Sequence, residues 1–133
     1  MVSPEAVYQQ IRRSPMVCVV DDDDSILRAL RRLLGATGFR VETFSSAEQF
    51  LKSEHRGRAD CLVLDVHLSG LSGLDLQERL ATSGVSTPVV IITAHDEAPT
   101  RERAERAGAI EYLRKPFDDD SLIDAIHKAI GHS

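Results

Sequence analysis

The stretch DCLVLD, residues 60–65, sets four apolar residues between two aspartates. A strand that is covered on both faces reads as a continuous apolar run, whereas a strand with one wet face alternates polar and apolar residues. The run is also too short for an ordinary helix. It therefore predicts a buried strand at the centre of a sheet that is packed on both faces.

Four more short segments have the pattern of strands, although Phe39–Phe44 alternates polar and apolar residues, and each of the five is followed by an amphipathic stretch with helical spacing. Strand–helix alternation of this kind implies right-handed crossovers and a parallel sheet with helices on both faces. The sequence thus predicts an α/β fold with a five-stranded parallel sheet and five helices. The predicted strands are Met16–Asp21, Phe39–Phe44, Asp60–Asp65, Val89–Thr93 and Ile110–Leu113.

Polar residues mark the predicted beginnings of the first two helices. Asp24 has the position of an N-terminal cap, which leaves Asp23 as a solvated loop residue. Ser45 and Glu48 have the spacing of a capping box before the second helix.

The composition is that of an ordinary globular domain. The chain has 133 residues, of which 42% are hydrophobic and 28% charged, and this suits one domain with a real core. A net charge of −5 argues against a general binder of nucleic acid or of membrane surfaces. No segment is long enough to span a bilayer, and no signal-peptide region follows Met1. A cytoplasmic location is expected.

Residues 15–131 carry the alternating pattern and form the predicted domain. Residues 1–14 form an N-terminal extension that is expected to be either a short helix or partly disordered. Cys18 and Cys61 lie inside apolar runs. They read as small buried hydrophobic residues, and a disulfide is the less favoured interpretation.

Chemically active side chains stand where the predicted strands end. The first strand ends in Asp21 and Asp22, the third in Asp65 and the fourth in Thr93, while Lys115 follows the fifth. Functional groups of parallel α/β sheets belong at the carboxyl ends of the strands. Three acids, a hydroxyl and an ammonium group are therefore expected to converge on one edge of the sheet.

These residues resemble the receiver domain of two-component response regulators, and the resemblance covers roughly Pro15–Ile130. The SSAEQFL stretch after the second strand is most similar to the FixJ/LuxR-type subgroup. The resemblance implies a flavodoxin-like (βα)5 receiver fold with strand order 2-1-3-4-5. One departure is Ser69, where the family usually has proline. The segments that carry the resemblance are VVDDDD (19–24), LVLDVHLSGLSG (62–73), IITAH (91–95) and EYLRKPF (111–117).

A carboxylate that attacks a phosphoryl group needs a hard cation beside it, because both reactants are anionic, and Mg²⁺ prefers oxygen ligands. Asp22 and Asp65 can supply carboxylates from neighbouring strand ends. Asp65 is the favoured nucleophile and phosphoacceptor, because no other acid stands beside it on its own segment. The resemblance adds the backbone carbonyl of His67 as a metal ligand, places Asp21 beside a metal-bound water, and allows Mn²⁺ to substitute for Mg²⁺.

The remaining site residues have roles in binding the phosphoryl group or in switching. Lys115 and Thr93 can each contact a phosphoryl oxygen, and the small Ala94 leaves room for the phosphodonor. Tyr112 suits a core position, and the resemblance makes it the aromatic residue that moves when Thr93 moves. A sensor histidine kinase is the implied phosphodonor. The chain would be a signalling switch with slow autodephosphorylation, and not an enzyme in the ordinary sense.

The predicted fourth helix, about Pro99–Ala107, has only alanines for an apolar face. Burying alanine contributes little, so this helix is expected to shift most easily. Phosphorylation should then change the face made by the fourth helix, the fifth strand and the fifth helix, and promote a homodimer or another protein contact. The segment is either the receiver part of a transcriptional regulator or a stand-alone regulator or phosphorelay shuttle.

Three rival classes fit the sequence less well. A flavodoxin-like nucleotide binder needs a phosphate-cradling loop after the first strand, where the carboxylates at 21–24 would repel a phosphate. A phosphatase of the haloacid dehalogenase type needs a second acid that DVHLS (65–69) lacks. A DNA-binding protein needs an element such as a basic helix-turn-helix, and the sequence shows none. No nucleic acid is therefore expected to bind this segment itself.

Overall fold

The computed structural model describes residues 3–4 and 14–131, so the expected extension at 1–14 lies almost wholly outside the described residues. Within them, five parallel strands form one sheet in the order β2-β1-β3-β4-β5. This confirms the predicted fold class and strand order. The strands are β1 (Met16–Val20), β2 (Arg40–Phe44), β3 (Cys61–Asp65), β4 (Val89–Thr93) and β5 (Glu111–Arg114).

Each strand is followed by a helix, as the alternating pattern predicts. The observed bounds differ from the predicted ones by one or two residues, which is the normal uncertainty at element ends. The helices are α1 (Asp24–Ala36), α2 (Ala47–Lys52), α3 (Gly73–Thr82), α4 (Ala98–Arg106) and α5 (Asp119–Ile130).

The core has two layers, one on each face of the sheet. Alternate residues of a strand point to opposite faces, so Val17 and Val19 of β1 join one cluster while Cys18 and Val20 join the other. The first cluster receives apolar residues of α1 and α5, and the second receives those of α2, α3 and α4. All five residues of β3 are buried, as the DCLVLD pattern predicts.

The cysteines belong to opposite layers: Cys18 lies in one cluster and Cys61 in the other. Both are buried and free, which confirms the favoured interpretation. Burial raises the pKa of each thiol to about 12, so both stay protonated and unreactive at neutral pH.

Two predicted helix caps are wrong by one residue. Asp23, not Asp24, caps α1: its backbone is extended, and its carboxylate accepts hydrogen bonds from the backbone amides of Ser25 and Ile26. Asp23 is therefore a structural cap and not merely a solvated loop residue. Ser46, not Ser45, caps α2, since its hydroxyl accepts from the Gln49 amide.

Helix α4 has the sparse packing that its sequence predicts. Ala104 is the buried residue of this helix. Its cap residue, Glu97, makes no side-chain cap hydrogen bond. In the described part of the chain, no helix is both long enough and apolar enough to cross a membrane.

Candidate functional site

The three predicted acids meet at the carboxyl edge of the sheet. Strands β1 and β3 are direct neighbours with Val20 opposite Leu64, so the residues that follow them lie side by side. Carboxylate oxygens of Asp21, Asp22 and Asp65 all lie within 4.8 Å of one another. Asp21 and Asp65 are buried, whereas Asp22 is exposed to solvent.

Lys115 lies against this cluster, as predicted. Its Nζ is 2.7 Å from Asp21 Oδ2 and 3.6 Å from Asp65 Oδ1. Asp21 uses its other oxygen to accept a hydrogen bond from the Asp23 amide at 2.9 Å. Lys115 is thus shared by two carboxylates and balances part of their negative charge. The peptide bond between Lys115 and Pro116 is cis.

Asp65 is the acid whose ionisation is most clearly perturbed. Burial is the main reason why its pKa is raised from 3.8 to about 6, and the charge of Asp21 adds to the rise. Lys115 and a hydrogen bond from the His67 amide act in the opposite direction. The ionised form of Asp65 is therefore disfavoured in the fold, and an added cation would relieve this cost.

The donor atoms at this site suit a hard divalent cation. Carboxylate oxygens without a thiolate among them are the ligands that Mg²⁺ and Mn²⁺ accept. Asp21, Asp22 and Asp65 are the one group of three or more His, Cys, Asp or Glu side chains in the described residues that could hold a metal.

The loop that follows β3 is closed by a tight contact at Gly73. The Gly73 amide donates to the Val66 carbonyl at 3.0 Å. A Cβ atom added at Gly73 would lie only 2.0 Å from the Asp65 carbonyl oxygen. Glycine is therefore required where α3 begins against the end of β3. His67, the predicted carbonyl ligand, is exposed within this loop.

Thr93 is fully buried at the end of β4, and its hydroxyl is engaged locally. Oγ1 of Thr93 donates to the His95 carbonyl and accepts from the His95 amide, both at 3.1 Å. Ala94, which stands between these two residues in the chain, is exposed to solvent. The rings of His95 and His67 meet edge to face, with their centroids 4.9 Å apart.

Tyr112 is half-buried in β5 and packs against the second cluster. The guanidinium of Arg101 in α4 lies 4.8 Å from the centre of its ring. The Tyr112 hydroxyl is buried and has no hydrogen-bond partner among the described residues. Burial raises the pKa of this phenol, so it stays protonated at neutral pH.

The sequence did not predict the polar contacts that join α3 to α4. Gln77 is only 2% exposed, and its Nε2 donates to the Ala104 carbonyl at 3.1 Å. Arg103 forms ion pairs with Asp75, at 2.8 Å, and with Glu78. Much of the attachment of α4 is therefore polar. These residues read as ordinary surface positions until the two helices are placed side by side.

The contact of Glu48 with the loop beside the site was also not predicted. Glu48 was predicted to cap its own helix, but its Oε2 accepts a hydrogen bond from the Leu71 amide at 3.1 Å, in the loop after β3. No local pattern signals a contact across 23 residues.

Comparison with known proteins places this geometry in a family. The family model described as response regulator receiver domain matches residues 17–127. Nodulation protein W of Bradyrhizobium diazoefficiens is 44% identical over 111 residues, which is 84% of this chain and 49% of that protein. The response regulator protein TodT of Pseudomonas putida is 38% identical over 118 residues, covering 89% of this chain and 52% of TodT.

Solved structures agree with these sequence relatives. The crystal structure of FixJ-N is 32% identical with a TM-score of 0.82, and the match covers 91% of this chain and 97% of that one. The low-resolution structure of the response regulator StyR is 47% identical with a TM-score of 0.83, covering 89% and 60% of the two chains.

The chain belongs to the response regulator receiver domain family. It is the receiver domain of a two-component response regulator, a class of signalling protein, and it spans about half the length of the curated relatives it matches.

Proposed function

We propose that Asp65 accepts a phosphoryl group from the phosphohistidine of a sensor histidine kinase. The single observation that carries the proposal is the meeting of Asp65 with Asp21, Asp22 and Lys115 at one sheet edge. An oxygen of Asp65 attacks the phosphorus and the bond to the histidine nitrogen breaks. The electron pair stays on that nitrogen, which then takes up a proton.

Mg²⁺, or Mn²⁺ in its place, would supply the positive charge that lets the two anions approach. Asp22, Asp65 and the His67 carbonyl would hold the ion, and Asp21 would orient a water bound to it. Asp22 is exposed, so the ion has a route in from solvent. The raised pKa of Asp65 supports this assignment, because a carboxylate in that environment gains from a nearby cation.

Lys115 and Thr93 would bind the new phosphoryl group. The ammonium of Lys115 lies 2.7 Å from Asp21 and 3.6 Å from Asp65, so it is already beside the carboxylate on which the phosphoryl group would form. The Thr93 hydroxyl would exchange the His95 carbonyl for a second phosphoryl oxygen. Ala94 leaves space beside it for the donor.

The exchange at Thr93 gives the switch a physical route. It would release the His95 backbone, only a few residues before α4 begins at Ala98. Helix α4 buries one apolar side chain, Ala104, and is otherwise attached to α3 by polar contacts, so little apolar burial would be lost if it shifted. Tyr112 could then change its packing, which would alter the face formed by α4, β5 and α5 and favour a homodimer or a partner protein.

We infer that the domain works in the cytoplasm, as residues 15–131 of a transcriptional regulator. Support comes from relatives described as transcriptional regulators, such as FixJ of Azorhizobium caulinodans, which is 37% identical over 88% of this chain and 56% of FixJ. DNA binding would then belong to another part of the protein, and not to this domain.

A phosphorylation assay tests the central step. Wild type is incubated with acetyl phosphate and Mg²⁺, and intact mass spectrometry should show the addition of one phosphoryl group. Asp65→Asn should show none. Asp124→Asn, which removes an exposed carboxylate from α5, is the matched control and should be labelled like wild type. Equal labelling of all three proteins would overturn the assignment.

A further inference from the structure

Glu48, in α2, contacts the loop that connects β3 to α3 and borders the acidic site. It lies in the first turn of α2, which Ala47 and Phe50 anchor in the core with 0% and 1% exposure. From this fixed base its carboxylate reaches the Leu71 amide, at 3.1 Å from Oε2. The same hydrogen bond is the main reason why the pKa of Glu48 is lowered, so the contact is charge-assisted at neutral pH.

Gly70 allows this close approach. A Cβ atom at Gly70 would lie 2.7 Å from the same Glu48 oxygen, and the glycine has a φ of +78°, which other residues rarely adopt. The carboxylate therefore lies directly on the turn of the loop, in a space that a side chain at this position would fill.

The loop connects this contact to the site. A hydrogen bond from the Gly73 amide to the Val66 carbonyl joins the two ends of this loop. His67 follows Val66 directly in this loop. Its backbone amide acts to lower the pKa of Asp65, and its carbonyl is the proposed metal ligand. Between His67 and α3 the loop is held by Leu68 and Leu71, which pack against the second cluster, and by Glu48 through the Leu71 amide.

We propose that Glu48 is a positioning residue that holds the β3–α3 loop in the conformation in which the His67 backbone faces Asp65 and a bound divalent cation. The part of this inference that concerns a bound metal rests on the proposed function. The effect of Glu48 on the loop does not. Glu48 touches neither the metal nor the phosphoryl group. It acts by limiting the conformations of the loop before the metal arrives, so that less order has to be gained on binding.

The first experiment uses metal-free protein and measures amide hydrogen exchange by NMR. Exchange at Leu71 must quicken in Glu48→Ala, because its acceptor is gone. The informative amide is His67, which donates nothing to Glu48. Its exchange should quicken too if Glu48 orders the whole loop. Unchanged exchange at His67 would confine the role of Glu48 to a local contact and overturn the proposal.

The second experiment measures Mg²⁺ binding by calorimetry. Loss of one charge-assisted hydrogen bond that preorganises the loop should weaken Mg²⁺ binding in Glu48→Ala about three- to tenfold. Glu48→Gln keeps an oxygen that can accept from Leu71 and should stay within about twofold of wild type. Glu54→Ala removes an equal charge from an exposed position just beyond α2 and should bind Mg²⁺ like wild type.

Comparing the Mg²⁺ affinities of Glu48→Gln and Glu48→Ala distinguishes a positioning role of Glu48 from long-range attraction between its charge and the cation. If Glu48→Gln weakened binding as much as Glu48→Ala, long-range attraction of the cation by the carboxylate would explain the result, and the proposal would fail. Should wild type bind no Mg²⁺ and accept no phosphoryl group, the proposed function fails instead. The His67 exchange measurement would still decide the role of Glu48.

Discussion

Removing the charge of Asp65 should stabilise the metal-free protein. Asp65 is 5% exposed, and burial together with the Asp21 charge raises its pKa from 3.8 to about 6. The folded protein therefore binds a proton at Asp65 more tightly than the unfolded chain does. Below pH 3.8 the carboxyl is neutral in both states and carries no penalty. The penalty grows as pH rises and is complete once pH passes the folded pKa of about 6.

The free-energy cost of ionising Asp65 in the folded protein follows from the rise in its pKa. A difference of about two pKa units, at 1.36 kcal/mol each, is about 3 kcal/mol at pH 7.5 and falls to about 0.5 kcal/mol at pH 4. Asp65→Asn should recover this free energy of unfolding, which corresponds to an increase of about 1–2 M in the urea midpoint at pH 7.5.

The assay is urea denaturation followed by circular dichroism, in EDTA, at pH 7.5 and at pH 4. Saturating Mg²⁺ at pH 7.5 should narrow the gap between the two proteins, because it stabilises the wild-type carboxylate. Asp124→Asn is the control and should change stability by no more than about 0.5 kcal/mol at either pH. If Asp65→Asn were no more stable than wild type at pH 7.5, or if its gain in stability were the same at both pH values, the charge of Asp65 would not be what destabilises the metal-free fold.

Three further predictions follow from the same geometry. Gly73→Ala should destabilise the protein by about 2–3 kcal/mol in urea denaturation, because the new methyl group meets backbone that cannot yield easily; unchanged stability would mean that the close contact with Asp65 relaxes freely. Asp22→Ala should abolish the rise in melting temperature that Mg²⁺ gives wild type, and an unaltered rise would remove Asp22 from the site. Beryllofluoride, an aspartyl-phosphate mimic, should change amide exchange over 94–117 and increase self-association in sedimentation; if it occupies the site and changes neither, the signal leaves by another face.

The sheet could be predicted from sequence because burial on both faces leaves a direct trace. β3 and β4 are apolar runs up to their last residues, Asp65 and Thr93, and every residue in both strands is buried. The edge strand β2 has a weaker signal, since polar and apolar residues alternate along it and none of its residues is fully buried. Strand bounds were uncertain by one residue at the edge and at the centre alike, because β2 and β3 both begin one residue later than predicted, at Arg40 and Cys61.

Helix caps were less predictable because neighbouring residues offer the same chemistry. In the run 21–24 every residue is an aspartate, and either Asp23 or Asp24 could cap a helix by residue type. The capping residue is the one whose backbone is extended, here Asp23, and this depends on where β1 ends. The same ambiguity between Ser45 and Ser46 displaced the second cap.

The convergence of site residues was predictable, but their partners in this state were not. Strand ends place Asp21, Asp65 and Lys115 together through topology alone. That the lysine pairs more closely with Asp21 than with Asp65 depends on side-chain packing. The contacts of Glu48 and Gln77 join elements that are distant in the chain, so they become visible only when the loop and the helices are in place.

Locating the phosphoryl group tests the assignment of Asp65 most directly. Phosphorylated wild type is treated with borohydride, which reduces an aspartyl phosphate to homoserine, and is then digested with trypsin and sequenced by tandem mass spectrometry. Homoserine is expected at position 65, with Asp60 and Asp75 of the same tryptic peptide unmodified. Homoserine at Asp21 or Asp22 instead, or a phosphoryl group that resists borohydride, would contradict the assignment.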